Sequence, residues 1–136
     1  MDATGRGDLV PAAGETVRPA FLRWLVFLVA NLYPTFTYAD DPARFVPGEA
    51  AQQGFRANVD AYAQRLWRQV DEAAGEPRFL GERFSTLDIY VAVMTRWRPR
   101  RAWFAEKCPR LHAIALRADA EPRLASVWQR NWPNAG

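Results

Sequence analysis

Between Phe79 and Trp97 the polar positions crowd the first half and the apolar positions the second, and a helix start marks the crossover: Phe-Leu-Gly-Glu-Arg-Phe-Ser-Thr-Leu-Asp-Ile-Tyr-Val-Ala-Val-Met-Thr-Arg-Trp. Ser85 stands where an N-cap side chain accepts a first-turn amide. Asp88, three residues on, can return a bond to the Ser85 amide, the carboxylate form of a capping box. Phe84 before the cap and Ile89 at the fourth helical position are spaced for a hydrophobic staple. Leu87 and the run Ile89 to Met94 leave this helix apolar on every side, the pattern of a helix enclosed by others.

The same reading, taken along the chain, predicts about six helices. Met1 to Gly14 is rich in glycine and small or charged residues that bury too little to offset ordering, so it reads as a flexible leader. Thr16 can cap a first helix with Pro19 in its first turn, and Pro34 predicts its end near Leu32. Phe21, Leu22, Trp24 to Val29 and Leu32 cover more than one face of it. Pro34 to Gly48, with three prolines and Asp40-Asp41-Pro42, reads as an irregular connection with at most a short helical piece. Phe55, Val59, Tyr62, Leu66, Val70 and Ala73 then recur at steps of three and four, which predicts a helix over about 49–74 closed by Gly75 and Pro77. Beyond Pro99 three shorter segments follow: Arg100 to Glu106, a helix opened by Pro109 with Leu111, Ile114, Ala115 and Ala118, and a last one opened by Pro122 with Leu124, Val127 and Trp128. No stretch alternates as a strand does. The prediction is all-α, an orthogonal bundle divided as 1–15 leader, 16–133 helical domain and 134–136 tail.

Composition narrows the function classes. The chain has 136 residues, half of them apolar, enough for one core. Eighteen basic against 15 acidic residues give only +3, and the arginines are scattered, which argues against nucleic acid as a partner. The most apolar run, Trp24 to Ala30, is too short to cross a bilayer, and no secretory signal is predicted. One cysteine forms no internal disulfide, so a reducing cytoplasm is the default location. A single histidine, His112, and a single cysteine, Cys108, build no metal cluster.

Candidate chemistry is sparse. Cys108 and His112 are four apart, but no third residue orients them as nucleophile and base, and no catalytic residue is assigned. Arg96, Arg98, Arg100 and Arg101 read as a solvated helix end more readily than as an anion site. Asp88 is the carboxylate to be held inside, with capping as its task. Trp24, Phe27, Asn31, Phe36 and Trp97 are the candidate lining of an apolar small-molecule pocket, with core packing as the competing use.

The Phe79-Leu80-Gly81 turn, the Ser85 to Asp88 cap and the apolar helix after it resemble the capping box and staple of the C-terminal helical domain of the glutathione S-transferase superfamily. The Arg-Trp-Leu of the first helix, the long second helix, Cys108-Pro109-Arg110-Leu111 and Ala120-Glu121-Pro122-Arg123 are similar to bacterial members, and the likeness covers about 18–132. It implies the hydrophobic co-substrate pocket and part of a homodimer interface. The thioredoxin-like domain that holds glutathione and activates its thiol in that superfamily is not among these residues, and Gly7 to Pro11 resembles the junction between the two domains. Conjugation is therefore expected only when such a domain supplies glutathione; the helical half is predicted inactive alone. The alternatives are a non-catalytic interaction or dimerisation module and, more weakly, an apolar-ligand carrier.

Overall fold

The computed structural model describes residues 7–133. Among them the chain forms six helices and no strand beyond isolated bridges: α1 (Arg18–Asp40), α2 (Glu49–Ala73), α3 (Thr86–Met94), α4 (Arg101–Lys107), α5 (Pro109–Asp119) and α6 (Ala125–Asn131). The all-α expectation holds. α3 is the centre, packed on α5 and α1, while the second half of α1 lies on α2 and α5 closes over α2 and α4.

The cap forms as the sequence dictates. The Leu87 amide donates to Ser85 Oγ at 3.3 Å and the Ser85 amide donates to Asp88 Oδ2 at 2.7 Å. The second carboxylate oxygen does something the spacing did not reveal: Asp88 Oδ1 accepts the Phe79 amide at 2.9 Å. One carboxylate thus ties the turn after α2 to the start of α3. That turn is tight because the Gly75 amide donates to Phe79 O at 2.9 Å, and a Cβ on Gly75 would lie 2.7 Å from the Gly81 nitrogen. Gly75 is thus required for close approach, and the left-handed residue of the turn is Gly81, at φ 82°.

Several expectations are corrected. α1 does not stop near Leu32 and is not capped by Thr16; it begins at Arg18 after Val17, without a side-chain cap, and continues for 23 residues. One π-helical turn, Leu28–Leu32, precedes Pro34: the Tyr33 amide reaches back to Leu28 O, and Thr35 Oγ1 donates to Leu32 O at 2.6 Å. The wider turn lets the chain pass a residue that has no N–H to give. The connection read across Pro34 to Gly48 is consequently half helix, with one 3₁₀ turn at Pro42–Arg44. By length and composition α1 also passes the test for a bilayer-spanning helix, which the seven-residue run did not. Here its inner side, Phe21, Leu28, Leu32 and Ala39, belongs to the core.

The leader is also not loose from Gly7 onward. Leu9 O accepts both the backbone amide (2.8 Å) and the hydroxyl (3.1 Å) of Thr86, satisfying a first-turn amide of α3 that has no helical partner. Arg83 bonds Gly7 O and the Glu15 carboxylate, and Arg18 bonds Pro11 O at 2.7 Å. The first six residues and the 134–136 tail lie outside the described residues.

In α2 the buried positions are Ala63, Leu66, Trp67 and Val70. Tyr62, predicted on the stripe, is 43% exposed. Helix α5 buries the predicted Leu111, Ile114, Ala115 and Ala118. Its N-terminus is capped from afar, since Asp71 of α2 accepts the Leu111 amide at 2.8 Å. At the other end of α3 three of the four arginines are paired rather than simply solvated. Arg96 and Arg101 grip Asp119 at 2.8 and 3.0 Å, Arg101 also donates to Ala92 O, and Arg98 joins Asp40 at 2.9 Å.

Candidate apolar groove

Helix α3 is not enclosed on all sides. Leu87, Val91, Ala92 and Met94 are buried, but Ile89, Tyr90 and Val93 are only half-buried and turn outward. Together with Tyr33 on α1, and with Thr86 and Trp97 at the two ends, they line a groove of about 300 Å³. A second hollow of about 280 Å³ continues it past Tyr33 and Trp97 to Phe36, Thr37 and Asp40. Tyr33, Phe36 and Trp97 meet edge to face, with centroids 5.1 to 6.4 Å apart, the arrangement aromatic quadrupoles favour. Tyr33 is nearly half exposed, so this aromatic corner is available to a ligand.

The five residues chosen from sequence do not form one pocket. Phe36 and Trp97 are brought together here. Trp24 and Phe27 pair at 5.2 Å, and Trp24 packs on Phe79 at 6.0 Å, near the turn that precedes the cap. Nine helical residues separate Trp24 from Tyr33, a rise of roughly 14 Å. Asn31 folds back on its own helix, Nδ2 donating to Phe27 O at 3.3 Å. Tyr33, Ile89, Tyr90 and Val93 were missed as lining. The signal was present in α3, where a nine-residue helix carried more apolar faces than a core needs. Tyr33 was hidden by Pro34, which read as a helix end. Phe84 and Ile89 both pack against the core, and the Phe84 ring carries the Arg78 and Arg123 guanidinium groups at 5.0 and 5.1 Å.

The chemistry available in the groove is adhesive. The polar side-chain groups among the lining residues of its main part are the hydroxyls of Tyr33, Tyr90 and Thr86 and the indole N–H of Trp97. Cys108 is buried elsewhere, and burial, helped by the charge of Asp71 and opposed by Arg68, pushes its thiol up to about 12. It is therefore a neutral thiol at physiological pH rather than a thiolate nucleophile. Burial also raises Asp88 above the ordinary carboxylate value, against the lowering effect of its bonds from Phe79 and Ser85 and of nearby Arg78. That carboxylate faces the turn and the cap. No group of three His, Cys, Asp or Glu side chains suited to a metal occurs among the described residues.

Comparison with known proteins places this architecture. No family model matches the chain, and no solved structure does. It is 38% identical over 127 residues to the uncharacterized GST-like protein YncG of Escherichia coli (strain K12), a match that takes in 93% of this chain and 61% of that protein. Along nearly its whole length the all-helical chain is thus similar to part of a GST-like protein. The chain spans about six-tenths of the length of the relative it matches.

Proposed function

We propose that the chain supplies the co-substrate side of a glutathione transferase, in which the thiol of glutathione is conjugated to an electrophilic apolar molecule. The observation that carries this reading is the groove between α1 and α3, apolar along its floor and aromatic at one end. Thr86 both lines the groove and holds Leu9, so the junction-like leader Gly7 to Pro11 passes beside it. A thioredoxin-like domain attached through that leader would face the groove and bring the glutathione thiol to it. Thiol activation belongs to that domain, because the groove offers hydroxyls but no base. A reducing cytoplasm, where glutathione is abundant, suits the buried unpaired Cys108.

The test has two arms. Isothermal titration of the chain alone with glutathione is expected to give no binding. Addition or fusion of a thioredoxin-like domain ahead of Gly7 is expected to yield conjugation of an aromatic electrophile that is lost when Val93→Asp puts a charge in the groove. Glutathione binding by the chain alone, or conjugation indifferent to Val93→Asp, would overturn the reading.

A second reading, a dimerisation or protein-interaction module, is favoured by one observation. Leu22, Val26, Val29 and Tyr33 form an outward row along α1, each 42–62% exposed, and such a row is a common docking surface. Light scattering behind size exclusion separates the two: a dimer dissolved by Val26→Asp supports this module, and a stable monomer argues against it.

A further inference from the structure

A third cavity lies on the other side of Phe36, away from the groove. It measures about 280 Å³ and sits between α1, α2 and the turn that leaves α3, lined among others by Phe36, Asp60, Gln64, Arg98, Pro99 and Arg100. Its backbone is unusual at one residue. Arg100 has φ 78° and ψ 161°, a region that is essentially glycine's own, and it is the one non-glycine residue with positive φ among those described. Strain of this kind persists where the surrounding structure imposes it, and it gathers at ligand clamps. The exposed Arg100 side chain has no acidic partner among the described residues, so its placement is not explained by an ion pair.

The remaining polar groups are also underused. Asp60 and Gln64 stand one turn apart on the same face of α2. Gln64, which lines the cavity, makes no side-chain hydrogen bond among the described residues. Arg98 gives its closer contact, 2.9 Å, to Asp40 and touches Asp60 only through Nε at 3.4 Å. Asp60 therefore keeps acceptor capacity on its carboxylate, while Arg100 keeps all its donors. Phe36 and Pro99 supply apolar surface in the same lining.

We propose that this cavity is a small-molecule site, separate from the apolar groove, for a compact zwitterion: an α-amino acid with an apolar side chain. Its carboxylate meets Arg100, its ammonium meets Asp60, Gln64 bonds either group, and its side chain lies on Phe36 and Pro99. The volume, just under the range of drug-sized pockets, limits the ligand to about the size of a single amino acid. Opposite charges in the lining of one small cavity favour a molecule that carries both over one that carries either alone, because each then finds its counterpart.

The test is calorimetric titration of the whole chain with L-phenylalanine, set against phenylacetate and phenethylamine, each of which lacks one charge. Saturable binding of L-phenylalanine is expected, with each analogue weaker by roughly tenfold or more. Arg100→Gly removes the cation and relieves the backbone, so it should melt above the wild type while losing affinity by roughly tenfold or more. Asp60→Asn should lose affinity similarly. Phenylacetate binding as tightly as L-phenylalanine, Arg100→Gly with undiminished affinity or a lowered melting temperature, or no saturable heat up to about 10 mM ligand would each overturn the proposal.

Discussion

Replacing Asp88 by alanine removes a carboxylate that holds three donors: the Phe79 amide at 2.9 Å, the Ser85 amide at 2.7 Å and the Ser85 hydroxyl at 3.3 Å. Phe79 and Ser85 are 2% and 0% exposed, so water does not replace the lost acceptor. An unsatisfied buried donor costs about 1–3 kcal/mol, and two backbone amides are left in that state. Part of this is offset, because the burial that raises the Asp88 pKa is itself unfavourable to the carboxylate. The net loss should be about 3 kcal/mol, a large share of the 5–15 kcal/mol typical of a domain. For a chain of this length that lowers the melting temperature by about 10 °C. Ser85→Ala keeps both amide bonds to Asp88 and removes the two longer hydroxyl bonds, to the Leu87 amide and to Asp88, and should cost about 1 kcal/mol. Asp88→Asn keeps one acceptor oxygen and should fall between them. Urea unfolding followed by circular dichroism at 222 nm measures all three. If Asp88→Ala lies within about 0.5 kcal/mol of the wild type, the carboxylate is not the tie between turn and helix, and the reasoning fails.

Other expectations follow from the same contacts. Cys108 holds its proton to about 12, whereas the unfolded thiol gives it up near 9.0. Above the lower value the unfolded state binds fewer protons, so this site's contribution to stability falls as pH rises between them, by up to about 1.4 kcal/mol per pH unit, and is flat below. Comparing pH–stability curves of the wild type and Cys108→Ala isolates that slope, and a thiol reagent should label the native protein only as fast as it unfolds. Gly75→Ala drives a methyl group toward the Gly81 nitrogen and should destabilise by about 1–3 kcal/mol, measured as a drop in denaturation midpoint. Arg83→Ala frees Gly7 O and Glu15, so limited proteolysis should cut the leader before Glu15 faster while the helical core stays intact; an unchanged cleavage rate would show that Arg83 does not hold it.

Much of the bundle was legible because its signals are local. Ser85 and Asp88 lie within one helical turn, Gly75 and Pro77 stop α2, and Leu111, Ile114, Ala115 and Ala118 repeat at helical spacing in α5. What escaped was set by partners distant in sequence. Asp71 caps α5 from forty residues away, Leu9 satisfies an amide of Thr86, and Asp88 reaches back to Phe79. None of these leaves a periodic trace. The length of α1 escaped for another reason: Pro34 is a local stop signal, and a π turn overrode it. Half of the groove was misplaced in consequence, since Tyr33 belongs to a helix that the proline rule ended, while Trp24, more than two turns away, and Asn31, folded back on Phe27 O, looked equally well placed.

The central claim is that the α1–α3 groove receives an apolar co-substrate. Amide chemical-shift mapping of the uniformly ¹⁵N-labelled chain, titrated with a chlorodinitrobenzene, tests it most directly. The account predicts saturable shifts gathered on Tyr33, Thr86, Ile89, Tyr90, Val93 and Trp97 and abolished by Val93→Asp in a folded variant. Shifts centred on other residues, or none at the solubility limit of the probe, would contradict it.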